Sequence, residues 1–163
     1  SPSTFDYAKL DWMNGVYLRE LSPAAYADAL IGYLREQGYD WPEDRIRAAA
    51  PIVQEKIARL GEFPGFAGFL FQDVEPDPEL LDRGVLTAAT GALEQVEPWK
   101  AERIEPALKE MTERLGMKPR QTFAPIRVAV TGSKVSPGLY ESLELLGRDE
   151  SLRRLSAGAA AAA

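Results

Sequence analysis

PIRVAVTGSKVSPGLYESLELLG, residues 125–147, holds two short apolar runs joined by a polar turn. Its second run reads as a helix. Ser136 suits the N-cap and Pro137 the first helical position. Leu139, Leu143 and Leu146 follow at spacings of four and three, which makes one apolar face. Gly147 then suits a left-handed C-terminal position. The first run is ambiguous, because Ile126-Arg127-Val128-Ala129-Val130 alternates like a strand. One five-residue run without a partner does not make a sheet.

Working outward, nearly every other segment has helical period. Residues 5–21 place Leu10, Met13, Tyr17 and Leu21 at helical spacing, widened by Trp12 and Val16. Ser22-Pro23 opens a helix with Tyr26, Leu30, Tyr33 and Leu34 inside, ending at Gly38. Another starts near Trp41-Pro42, with Ile46, Ala49, Ile52, Val53, Ile57 and Leu60 as its stripe and Pro51 as an expected kink. Val85–Val96 and a helix from Pro98 follow. Trp99, Ile104, Leu108, Met111 and Leu115 face inward in the second of these, and Gly116 stops it. Asp149 caps a last short helix, and the SAGAAAAA tail should fray. The pattern implies an all-α fold: a helical cage or bundle of about ten short helices in two subdomains. Asp73–Pro78, with two prolines and three acids, is the boundary candidate. It gives residues 1–74 and 75–163.

Composition narrows the function. The 163 residues are 45% hydrophobic and 27% charged, an ordinary globular composition. There is no apolar run near the ~20 residues of a membrane span, and SPSTFDYAKL is too polar for a signal peptide. A cytoplasmic, monomeric protein is the expectation. With neither Cys nor His, there is no disulfide, no Cys or His zinc site and no Ser-His or Cys-His dyad. Thr131-Gly132-Ser133-Lys134 resembles the end of a phosphate loop but lacks the upstream glycine and the Gly-Lys order. Glu141 and Glu144, three apart, read as a solvated helix face rather than a metal site. No catalytic constellation stands out.

Charge is less even. From Arg114 to Tyr140 there are five basic residues and no acid, in a chain of net charge −6, leaving −11 elsewhere. Such a window is where a polyanion would dock.

Particular residues carry a resemblance. Lys9-Leu10-Asp11-Trp12-Met13-Asn14-Gly15 with Tyr17-Leu18-Arg19 resembles the segment that follows the catalytic domain in bacterial glutamyl-tRNA synthetases. Leu60-Gly61-Glu62-Phe63-Pro64, Leu70-Phe71, Arg127–Gly132, Ser136–Glu141 and Leu145-Leu146-Gly147 are similar to later parts of the same enzymes, in order. The class I motifs HIGH and KMSKS are absent. The resemblance therefore implies the C-terminal, anticodon-binding half of a glutamate–tRNA ligase, all-helical even at Ile126–Val130. Chemistry with ATP and magnesium would lie in a catalytic domain N-terminal to it, and no cofactor is expected in these residues. The implied partners are tRNA(Glu), tRNA(Gln) as a second candidate, and that catalytic domain.

Carried over by residue, the resemblance makes Arg127 an anticodon-base contact. Ser136, Pro137 and Leu139 become the loop and helix start packed on those bases, and Lys109 a basic position on the preceding helix. Lys56 falls where the family inspects the third anticodon base with Arg or Gln. Lys is neither, so the choice between tRNA(Glu) and tRNA(Gln) stays open. A different reading is an acidic helical protein–protein interaction module without RNA binding, using Phe63, Phe66 and Phe69 as an exposed patch.

Overall fold

The computed structural model describes residues 15–163. Trp12, Leu10, Met13 and the Lys9–Asn14 stretch of the resemblance lie outside them. Among the described residues there are nine α-helices, three short 3-10 turns and no strand. The fold is all-α.

The chain divides into two compact units, the first ending at Phe71 and the second starting at Gln72. In the first, α1 (Gly15–Glu20), α2 (Pro23–Glu36), α3 (Glu43–Val53) and α4 (Phe63–Ala67) surround Leu18, Tyr26, Leu30, Leu34, Ile46, Val53, Leu60 and Phe63. Ser22 caps α2 as expected, its Oγ accepting from Ala25 N at 3.1 Å. On α1 the inward residue is Leu18, fully buried, whereas Val16 and Tyr17 are 56% and 41% exposed. Of the stripe expected on this segment, Val16 and Tyr17 therefore face outward and Leu21 is half-buried, while Leu10, Trp12 and Met13 lie outside the described residues. Gln54, buried, donates from Nε2 to the carbonyls of Leu18 (3.1 Å) and Leu21 (2.9 Å). That satisfies acceptors left free at the end of α1. Pro51 sits inside α3 without ending it. Phe63 and Phe69 are buried and Phe66 is half-buried. The exposed phenylalanine patch required by the interaction-module reading does not exist.

The second unit consists of α5 (Arg83–Glu94), α6 (Ala101–Arg114), α7 (Pro119–Thr131), α8 (Leu139–Leu146) and α9 (Arg148–Ala161). Ile126–Val130 lies within α7. In a strand-like alternation Ala129 would share the face of Arg127. In fact Ala129 is buried along with Ile126, Val128 and Val130, and Arg127 alone of the five reaches outward. Trp99 is half-buried, donating from Nε1 to Leu143 O at 2.8 Å. Leu115 is 40% exposed, not inward as expected. Glu144 does more than solvate α8: its Oε1 accepts the first amide of α6, Ala101 N, at 2.7 Å.

The alanine-rich tail is helical to Ala161 rather than frayed. Gly158 explains why. A Cβ there would meet Ala129 Cβ at 3.0 Å and Leu86 Cδ1 at 3.1 Å, so small residues let α9 lie close on α5 and α7. Arg83 adds a hydrogen bond from Nε to Ala159 O at 3.1 Å. Arg154, 5% exposed, donates to Glu150 (2.8 Å), Val130 O (2.7 Å) and Gln72 O (3.2 Å). Arg153 bridges Glu150 and Asp73. These arginines fasten residues 72–73 to α9.

The same pair, Arg153 foremost, holds the Glu150 carboxyl down at about 2. A carboxyl depressed on folding stabilises the protein above its ordinary value of 4.5 and loses that contribution as pH falls toward about 2. The stability gap between the parent and Glu150→Gln should therefore shrink from pH 4.5 to pH 2 in denaturant titrations. A constant gap would refute the linkage.

Candidate nucleic-acid interface

The site is built on the turn between α7 and α8. Gly132 closes α7 with a left-handed φ of 75°, and its N–H reaches Val128 O at 2.8 Å. Thr131 Oγ donates to Arg127 O at 2.7 Å and accepts from Ser133 N at 3.2 Å. Ser133 Oγ accepts from Val135 N at 3.1 Å. The phosphate-loop-like stretch thus follows a helix rather than a strand and spends the Ser133 amide on its own turn.

Ser136 does not cap a helix. α8 starts at Leu139 with Gly138 as N-cap and no side-chain cap. A Cβ at Gly138 would overlap the carboxylate of Glu141, the third residue of α8, which folds back over that position. Ser136 Oγ is used differently. It accepts from Arg127 Nη1 and donates to Pro137 O at 2.8 Å. The other Nη1 hydrogen of Arg127 reaches Pro137 O at 2.8 Å. The Nη2 and Nε donors of the guanidinium have no hydrogen-bond partner among the described residues. Arg127 is half-buried, and burial lowers its pKa against the opposing effect of the Glu141 carboxylate. Pro137 is buried and Leu139 is 4% exposed. Both hold the turn from beneath rather than offering surface.

Lys109 lies exposed on α6 and pairs with Glu105 one turn earlier, which raises its pKa. Tyr140, the second residue of α8, feels both charges. Its pKa is raised by burial first and then by Glu105. Phe123 on α7 meets the Tyr140 ring edge-on, with centroids 6.0 Å apart. The first turn of α8 thus brings together Arg127, Ser136 and Lys109, together with Tyr140 and Phe123, which the sequence reading did not single out. Phe123 stands four residues before Arg127 on the same helix and Tyr140 follows Leu139, but an aromatic on a helix ordinarily reads as core. Lys56 is exposed in the turn after α3, in the first unit. No group of carboxylates among the described residues could hold a metal ion.

Comparison with known proteins gives the chain's relatives. A family described as an anticodon binding domain matches residues 19–159. Glutamate–tRNA ligase of Saccharopolyspora erythraea is 46% identical over 96% of this chain and 34% of its own length. That of Kineococcus radiotolerans is 45% identical over 95% of the chain and 34% of its own length. This chain spans about a third of the curated relatives it matches. A crystal structure of a glutamate tRNA ligase from Elizabethkingia meningosepticum superimposes with a TM-score of 0.76 at 18% identity, over 94% of this chain and 32% of that one. At that identity the likeness concerns the fold.

The turn under Arg127 depends on a glycine. A Cβ at Gly132 would fall 2.9 Å from Val74 Cβ, in a conformation that side chains already disfavour. Gly132→Ala should cost about 2 kcal/mol of unfolding free energy, left-handed strain being about 1–2 kcal/mol before the clash is added. A variant as stable as the parent would contradict the geometry.

Proposed function

The chain belongs to the anticodon binding domain family, and from that premise we propose that it recognises the anticodon of tRNA(Glu) for a glutamate–tRNA ligase. The observation that carries the reading is the Arg127 fork, oriented by Ser136 and Pro137 with two nitrogens left to donate. Unpaired anticodon bases can be splayed out and read on their edges, and a planar guanidinium suits that task. Half-burial strengthens its hydrogen bonds by lowering the local dielectric.

In this reading Ser136 is a positioning residue, and Pro137 and Leu139 shape the turn that holds it. Lys109 contributes charge beside Tyr140, whose ring edge, paired with Phe123, lines the same turn. Lys56 acts on the choice of tRNA, with tRNA(Gln) as the competitor. Ligation chemistry, with ATP and magnesium, belongs to the catalytic domain of a whole cytoplasmic enzyme. The 163 residues themselves supply recognition only, as a monomer. The acidic remainder of the chain repels wrong RNAs and so favours the matching one.

Filter binding tests this. Arg127→Ala should weaken tRNA(Glu) binding by about 1–3 kcal/mol, the range of a good side-chain-to-base pair. Arg127→Lys should recover only part, because an ammonium keeps charge but loses the fork. In the same assay Lys56→Gln should narrow the gap between tRNA(Glu) and tRNA(Gln), and Lys56→Arg should widen it. Equal binding by Arg127→Ala and the parent would rule out the anticodon assignment.

A further inference from the structure

The acid-free window acquires a shape in the structure. Lys118 stands at the N-cap of α7, Arg120 in its first turn, Arg127 two turns later and Lys134 in the turn beyond its end. Residues seven apart on a helix share a face, so Arg120 and Arg127 are aligned. Phe123, half-buried, and Ala124, exposed, fall between them. From Lys118 to Thr131 the axis covers about 20 Å at 1.5 Å per residue.

Lys118, Arg120 and Lys134 are exposed, and none makes an ion pair among the described residues. Several other cations of the same unit are engaged, while Lys100, Arg103 and Arg114 are likewise exposed without an ion pair among the described residues. Lys109 is bound to Glu105, and Arg153 and Arg154 to Glu150. Arg83 and Arg148 donate to backbone carbonyls. What sets Lys118, Arg120 and Lys134 apart is their place in the acid-free segment from Arg114 to Tyr140, where Arg127 feels the Glu141 carboxylate from α8; in a chain otherwise strongly negative, such a segment fits a polyanion laid along the helix.

We propose that α7 and its two flanking turns form a track for the sugar–phosphate backbone of the RNA strand entering the site, with Lys118, Arg120 and Lys134 as phosphate contacts. This rests on the RNA-recognition reading and adds a division of labour to it. Arg127 reads bases from the half-buried middle of the row, and the exposed cations on either side position the strand without reading its sequence. Phosphate contacts release counterions and base contacts largely do not, so salt separates the two.

The test is the salt dependence of binding to tRNA(Glu) by the 163-residue chain. Lys118→Gln, Arg120→Gln and Lys134→Gln are combined in one variant, with helicity checked by circular dichroism. Lys100→Gln with Arg103→Gln serves as the charge control elsewhere in the unit. Each lost phosphate contact flattens the slope of log K against log salt by about 0.7–0.9, so the triple variant should lose about 2 to 3 from the parent slope. Its preference for tRNA(Glu) over a second tRNA should stay at the parent ratio. The control should flatten the slope far less per charge removed. Parent-like slope in a helical triple variant would overturn the track while leaving the anticodon reading intact, as would equal flattening per charge in the control. If the parent chain binds neither tRNA, both the track and the anticodon reading fall.

Discussion

The carbonyl oxygen of Pro137 is the point on which the α7–α8 turn depends. It accepts from Arg127 Nη1 at 2.8 Å, Ser136 Oγ at 2.8 Å and Ser142 Oγ at 3.3 Å. Pro137 itself is buried, so this acceptor would be costly to leave unpaired. Satisfying it from three side chains fixes the turn and, as a consequence, the plane of the guanidinium. One nitrogen of Arg127 is spent on structure so that the others point in a defined direction. An arginine free to rotate would lose more side-chain entropy on meeting a base.

That turn is held in place by the packing beneath it. Gly158 and Ala129 allow α9 to come close to α7, and Gly132 allows Val74 to lie against the end of α7. Arg154 connects Val130 O on α7 with Gln72 O at the start of the unit. A buried arginine loses much solvation, and its three hydrogen-bonded partners offset that cost. The positions that allow close approach are small and those that connect are long and charged.

The sequence made the helical class readable because leucines and isoleucines recur at spacings of three and four, as at Leu139, Leu143 and Leu146, and the structure buries all three. Periodicity failed where inward and outward could not be told from residue type. A strand-like alternation would put Ala129 on the face of Arg127, and it is buried because α9 needs a small partner there. Val16 and Tyr17 looked inward because they are large. Ser136 and Pro137 look like a helix start in one dimension. The hydrogen bond from Arg127, nine residues earlier, takes the serine hydroxyl away from that role. Long-range bonds of this kind, including Gln54 to α1 and Glu144 to the first amide of α6, leave no local pattern. The basic window was legible because charge is read directly from composition, whereas the place of Arg127 in a site came only with the resemblance. Tyr140 and Phe123 were not legible, because an aromatic on a helix is ordinarily core.

The central claim is that the Arg127 fork meets an anticodon base edge. A double-mutant cycle tests it most directly, combining Arg127→Ala with single-base changes at each anticodon position of tRNA(Glu) in one binding assay. The account predicts one position whose base change is costly for the parent and nearly neutral for Arg127→Ala, a coupling of about 1–3 kcal/mol. Additive losses at all three positions would contradict it.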